Sequence, residues 1–189
     1  MDITDLRDMK EFFKDTLKYI LIIIIVLLVY LYVISFQQVL GPSMQPNYQE
    51  GEIYLLNKLK YRIQKPKRFE VVVLNNKKSK FMIKRVIGLP GEHIEYRDDT
   101  LYVNGKIVKE QFSKTLEPDE THILEKNVDL VIPENCYYVL GDNRVNSEDS
   151  RMFGCVEQKD IVGKVEFRIW PLFKSKKWNR NFVQFTFLK

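Results

Sequence analysis

An uninterrupted apolar run near the N-terminus constrains this chain more than any other feature of its sequence. Residues 19–36 contain no Asp, Glu, Lys or Arg and consist mostly of Ile, Leu and Val. An α-helix needs a run of about this length to cross a bilayer. A cleaved secretory signal would have a shorter apolar core and a small-residue cleavage site, and a core helix would not be apolar on every face. The sequence therefore predicts a transmembrane helix at residues 19–37.

The charges on either side of this run predict its orientation. Four basic residues precede the run, and no further Lys or Arg follows until Lys58. Because basic flanks stay in the cytoplasm, we expect residues 1–18 to be cytoplasmic. Residues 38–189 are then an extracytoplasmic domain at the cell membrane. Apolar side chains at helical spacing in residues 3–18 predict an amphipathic helix that leads into the span.

Size and charge limit the class of this outer domain. About 150 residues are enough for one domain with its own core. The net charge of +5 comes from 30 basic and 25 acidic residues, and this mixture is unlike the concentrated charge of a nucleic-acid-binding protein. Short basic runs could contact anionic lipids or be ordinary solvated surface. Cys136 and Cys155 are too few for a disulfide scaffold, and the sequence leaves open whether they pair.

Short apolar segments separated by turn signals follow from Gly51 onward and predict a mainly β domain. The predicted strands are 52–57, 69–74, 81–87, 92–97, 100–103, 106–108, 137–140 and 161–169. Residues 109–130 are polar and irregular and predict a loop, part of a variable excursion over about residues 106–135. Residues 172–189 predict either a last strand or a membrane-facing tail.

The first segment that suggests chemistry is 41–46, which reads Gly-Pro-Ser-Met-Gln-Pro. Proline fixes its own φ and holds the preceding residue extended. A serine in such a stiff segment, here Ser43, can present its hydroxyl in one direction, as a nucleophile must. A Pro-rich connector has the same composition, so this segment alone does not decide between the two.

A nucleophilic serine needs a base, and neither His93 nor His122 stands in a convincing place. Lys84 is the better candidate, because strand alternation puts it between Met82 and Val86 on one face. Apolar surroundings disfavour the ammonium and lower the pKa of a lysine. A neutral lysine can then take the proton of a serine. The alternative is a surface lysine at a strand edge.

A dense polar run at residues 141–154 follows directly after a predicted strand. Its Asp, Asn and Ser side chains can hydrogen-bond to their own backbone and hold a complex turn. Asp142 and Asp149 can form ion pairs with Arg144 or Arg151. One of the serine hydroxyls could also hold the amine of the base.

Taken together and in this order, these segments resemble the bacterial type I signal peptidases, which are membrane-bound serine proteases that remove signal peptides from exported proteins. The resemblance covers most of residues 19–171. It is carried by the apolar run, Ser-Met-Gln-Pro at 43–46, Lys-Arg-Val-Ile-Gly-Leu-Pro-Gly-Glu at 84–92, the polar run at 141–154, Ile-Val-Gly-Lys at 161–164 and Trp-Pro at 170–171.

The resemblance implies a mechanism and a site. Ser43 is expected to be the nucleophile and Lys84 the general base of an acyl-enzyme reaction without metal or cofactor. Ser147 is expected to hydrogen-bond the base, and four further residues are expected to brace the loop: Asp142, Arg144, Asp149 and Arg151. The backbone N–H of Ser43 is the expected oxyanion donor. Gly41 stands where some members carry a serine whose hydroxyl adds a second donor.

The resemblance also implies the partners. Substrates would be signal-peptide-bearing preproteins with small-x-small cleavage sites, bound as extended chains near residues 45–46 and 81–83. The bilayer is the second partner, and no nucleic acid is expected. The alternative is a non-catalytic, signal-peptidase-like membrane factor for assembly of surface proteins. Such a factor would be expected to lack the serine or the lysine, and both are present.

Overall fold

A computed structural model describes residues 3–76, 80–116 and 128–172. Within these ranges, a long N-terminal helix precedes a domain of eleven strands and two short α-helices, which confirms the mainly β class. The helices are α1 (Ile3–Tyr32), α2 (Lys60–Ile63) and α3 (Ser150–Phe153). The strands are β1 (Ile34–Gln38), β2 (Ile53–Asn57), β3 (Val71–Asn76), β4 (Lys80–Gly88), β5 (His93–Arg97), β6 (Thr100–Val103), β7 (Lys106–Val108), β8 (Asp129–Val131), β9 (Cys136–Leu140), β10 (Val156–Glu157) and β11 (Ile161–Trp170).

Helix α1 joins the predicted amphipathic segment to most of the apolar run in one continuous helix of 30 residues. Its large apolar side chains from Leu17 to Tyr32 are exposed. The helix ends before the predicted boundary at residue 37, because the next residues form β1 and pair with β2, Ile34 opposite Asn57. Among the described residues, no helix meets the length and apolarity required for a membrane crossing.

The larger sheet has seven strands in the order β1-β2-β11-β3-β4-β9-β10, and all neighbours are antiparallel. Consecutive residues on a strand point to opposite faces of a sheet. Val72 and Val73 on β3 are both fully buried, so both faces of this sheet are covered at its centre. Strand β4, which carries Lys84, pairs with this buried strand.

The smaller sheet has the order β7-β6-β5-β8. The predicted hairpin is confirmed, with Asp98 and Asp99 in the left-handed conformation at its turn. Strand β8 shows that the loop prediction for residues 109–130 is wrong at its end, because Leu130 pairs with Ile94 and packs against the core. Residues 117–127, and the predicted last strand or tail from residue 173 onward, lie outside the described residues.

A disulfide bond joins Cys136 to Cys155, whose Cα atoms are 5.6 Å apart. It resolves the pairing that the sequence left open. The bond connects the start of β9 to the residue before β10, and the predicted polar run at 141–154 lies between these two points. This run is therefore closed at its base by a covalent link as well as by the pairing of β9 with β10.

Candidate active site

Ser43 lies in a tight turn between β1 and β2. Gly41 begins the turn with a φ of +78°, which favours glycine. The N–H of Gln45 donates to the carbonyl of Pro42 over 3.0 Å. Met44 is 1% exposed and packs in the core cluster that contains Ile83. The residue next to the serine thus attaches the turn to the domain and limits how far the hydroxyl can move.

Lys84 approaches Ser43 from strand β4. Its side chain is 2% exposed, and its Nζ donates to the Ser43 Oγ over 2.9 Å. Burial lowers the pKa of Lys84 to about 8, while the carboxylates of Asp149 and Glu148 act in the opposite direction. The amine can therefore lose its proton near neutral pH, and a neutral amine at this distance can accept the serine proton.

Ser43 and Lys84 lie in an open cleft of about 740 Å³. Residues 37–44 form one wall, residues 81–84 form the other, and Asn146 and Glu148 complete the lining. Strand β1 is an edge strand, and β9 pairs with β4 only at residues 85–88. Each wall thus has backbone that pairs with no described strand on the cleft side. Gln45 and Pro46, where substrate contacts were expected, do not line the cleft.

The start of the polar run, Gly141, touches the nucleophile turn directly. A Cβ at Gly141 would lie 2.4 Å from the Ser43 carbonyl oxygen and 2.2 Å from the Ser147 hydroxyl. Only glycine permits this approach without displacement. The N–H of Asn143 donates to the same Ser43 carbonyl over 3.0 Å. Residues 141–143 therefore support the turn that carries Ser43.

Ser147 lies beside the site without the expected contact to the base. Its hydroxyl oxygen is buried and makes no hydrogen bond of normal geometry to a described residue. It lies near enough to Asp149 to help lower the pKa of that carboxyl. Burial alone would raise the pKa of Asp149, but the hydrogen bonds and charge of Arg151 outweigh it and hold the pKa below its usual value.

Of the four predicted bracing residues, Asp149 and Arg151 pair with each other. Asp149 accepts from Arg151 Nη2 over 2.8 Å and from the N–H of Gly141 over 3.0 Å. The other two have partners outside the polar run. Asp142 accepts two hydrogen bonds from Arg85, at 2.7 and 2.6 Å, and Arg144 donates to Glu110 over 2.5 Å.

Three residues at the site were not predicted from the sequence: Arg85, Asn47 and Glu110. Asn47 donates to Asp142 over 2.8 Å and to the carbonyl of Ser113 over 2.6 Å. Arg85 could have been recognised, because it alternates with apolar residues on a buried strand and a buried arginine requires a carboxylate. Asn47 and Glu110 lie in polar loop sequence without any periodic signal.

Comparisons with known proteins identify the family of this chain. The model of the signal peptidase family, peptidase S26, matches residues 11–170. Signal peptidase I of Bacillus caldolyticus is 43% identical over 152 residues, which cover 75% of this chain and 82% of that protein. Signal peptidase IB of Staphylococcus aureus is 38% identical over 184 residues, which cover 89% and 96%.

A crystal structure of a signal peptidase I from Enterococcus faecalis is 38% identical, with a TM-score of 0.43, and the match covers 55% of this chain and 98% of that one. The family match spans both walls of the cleft, the serine, the lysine and the polar run. The chain therefore belongs to the signal peptidase family, peptidase S26.

Proposed function

We propose that this chain removes signal peptides from exported preproteins, with Ser43 as the nucleophile and Lys84 as the general base. One observation carries the proposal: a buried lysine amine lies 2.9 Å from a serine hydroxyl inside an open cleft. Membership of the signal peptidase family supports the substrate class. An assembly factor without catalysis would need neither the buried amine nor its lowered pKa, so the geometry favours the enzyme.

The reaction is acyl transfer in two steps. Neutral Lys84 takes the proton of Ser43, and the oxygen attacks the scissile carbonyl carbon. The C–N bond breaks, Lys84 returns the proton to the leaving amine, and an ester remains on Ser43. Water then gives its proton to Lys84 and attacks the ester, which releases the signal peptide and restores the serine hydroxyl.

The backbone N–H of Ser43 is the proposed oxyanion donor. It donates to no other described residue, and it lies next to the oxygen that attacks. Gly41 has no side chain that could add a second donor. Because one such donor contributes about 10²–10³-fold to the rate, a water or another backbone N–H is the expected second partner of the oxyanion.

The bracing residues keep the dyad in place. Asp142 connects the polar run to Arg85 on β4, and Arg144 connects it to Glu110. Asp149 and Arg151 pair with each other near the end of the run. Ser147 is proposed to hydrogen-bond the Lys84 amine when substrate is bound, because its buried hydroxyl lies against Gly141, which also contacts the Ser43 carbonyl, and has capacity for a partner.

Substrate is proposed to bind as an extended chain between the two walls of the cleft. Residues 81–83, which line the cleft, can pair with the segment before the scissile bond as an added strand. Shallow pockets along the walls would accept small side chains, which is the pattern of a small-x-small site.

Helix α1 is proposed to hold the enzyme at the cell membrane. Its apolar side chains from Leu17 to Tyr32 are exposed, no charged residue lies beyond Lys18 in the helix, and basic residues precede that point. This charge distribution favours a cytoplasmic N-terminus and an extracytoplasmic cleft. The Cys136–Cys155 disulfide supports an oxidising compartment. Enzyme and preprotein anchored in one membrane meet at raised effective concentration.

Cleavage of a preprotein in detergent tests the proposal. The enzyme should cut at a small-x-small site, while Ser43→Ala and Lys84→Ala should not. Lys106→Ala, which removes an exposed lysine on β7, should cut as the unaltered enzyme does. Activity should rise with pH through about 8, the pKa of Lys84. Undiminished cleavage by Lys84→Ala would refute the dyad.

A further inference from the structure

Among the described residues that line the cleft, only Lys84 and Glu148 carry charged side chains. Lys84 is buried at its inner end, and Glu148 is exposed at its rim. The other two acidic residues of the polar run are neutralised, Asp142 by Arg85 and Asp149 by Arg151. Glu148 makes no hydrogen bond or salt bridge with a described residue.

We propose that Glu148 is a specificity-determining residue that selects preproteins by the charge of the first residue after the cleaved bond. This inference rests on the proposed function. Basic and neutral residues at that position would be favoured, and acidic residues would be disfavoured. The ligand chemistry is thus a peptide cation next to the scissile bond.

The position of Glu148 relative to the walls supports this assignment. Residues 37–43 and 81–84 run along the cleft and meet at Ser43 and Lys84. The polar run enters at this same end, where Asn143 donates to the Ser43 carbonyl. A substrate segment before the scissile bond occupies the space between the walls. The residue after the bond therefore leaves past the dyad, toward the side chains of the polar run.

The charge state of the working enzyme gives Glu148 its influence. Lys84 must be neutral to act as the base, so its positive charge is absent in the reactive form. The carboxylate of Glu148 then sets the charge of the cleft lining. Its field reaches the reacting centre, since it acts on the amine of Lys84. A single unpaired charge at a solvated rim discriminates by about three- to tenfold between a cation and an anion.

Three preproteins that differ only in the first residue after the cleaved bond, Lys, Gln or Glu, provide the test. With the unaltered enzyme above the Lys84 pKa, kcat/KM should fall from the Lys to the Gln to the Glu substrate. Glu148→Gln should reduce the Lys-to-Glu ratio by at least about threefold, and Glu148→Lys should invert it. Added salt should compress the ratio in the unaltered enzyme.

Glu134→Gln is the matched control, because it removes the same charge from an exposed position outside the cleft lining. It should keep the Lys-to-Glu ratio of the unaltered enzyme. If Glu148→Gln kept the Lys-to-Glu ratio of the unaltered enzyme and cleavage still depended on Ser43, the inference would be overturned. Failure of the proposed function is distinguishable, since Ser43→Ala would then cut all three substrates as well as the unaltered enzyme does.

Discussion

The two faces of strand β4 place neighbouring cations in opposite situations. Lys84 and Arg85 are adjacent and nearly inaccessible, at 2% and 9% exposure. Arg85 has a two-fold hydrogen-bonded carboxylate partner in Asp142, and its guanidinium lies 4.1 Å from the ring centre of Phe112. Lys84 meets a serine hydroxyl instead. With similar burial, Arg85 is thus a paired, structural cation, while Lys84 can lose its proton.

The largest expected effect comes from removing the amine on the reactive face. Lys84→Met should lower kcat/KM by at least about 10³-fold, because the serine loses its base. It should leave the free energy of unfolding unchanged or raised, since a buried ammonium is replaced by an apolar chain. Preprotein cleavage in detergent measures kcat/KM, and denaturant unfolding in detergent measures the free energy of unfolding. A destabilised variant would show that Lys84 supports the fold as Arg85 does.

On the structural face, Asp142→Ala should destabilise the protein by about 3–5 kcal/mol, because it leaves the Arg85 guanidinium buried without a carboxylate to balance its charge. The second change Arg85→Met in the same chain should recover more than half of that loss, since the unpaired charge is then gone. Denaturant unfolding of the single and double variants measures both. If the double variant were no more stable than Asp142→Ala, the ion pair with Arg85 would not be the interaction through which Asp142 stabilises the protein.

The pH dependence of stability sharpens the same contrast. The pKa of Lys84 is lowered from 10.5 to about 8 in the folded protein, so the unfolded chain binds more protons between these values. The folded state is therefore penalised by about 3 kcal/mol below pH 8, and the penalty disappears as the pH rises to about 10.5. The stability difference between the unaltered enzyme and Lys84→Met should follow this curve. A difference independent of pH would contradict the lowered pKa.

A smaller effect is expected where the polar run meets the nucleophile. In Gly141→Ala the new Cβ would overlap the Ser43 carbonyl oxygen, so the turn must shift. We expect kcat to fall by about 10²-fold, the consequence of a misplacement near 1 Å. Gly105→Ala is the control, because it strains a left-handed glycine whose new Cβ would have no atom of a described residue within 4 Å. It should lower stability and leave kcat unchanged.

The sequence by itself determined the features that depend on near neighbours. The alternation of apolar residues predicted the strand that carries Lys84, and the two aspartates at 98–99 predicted a hairpin turn. Both features depend on residues only a few positions apart in the sequence. The Pro-rich segment made Ser43 a candidate, the apolar strand neighbours made Lys84 one, and the resemblance to the type I signal peptidases selected both. Burial of the strand was enough to predict the direction of the Lys84 pKa, since desolvation dominates it.

Only the tertiary structure decided which distant residues meet. The serine and lysine are separated by 41 positions, and Arg85 and Asp142 by 57. Such partners depend on strand order, which local sequence does not encode. Strand β1 formed at the end of the apolar run because β2 offered it an edge, and Cys136 met Cys155 because β9 and β10 are neighbours. Long-range backbone pairing thus ended the helix within the apolar run at β1, and it brought the thiols of Cys136 and Cys155 together.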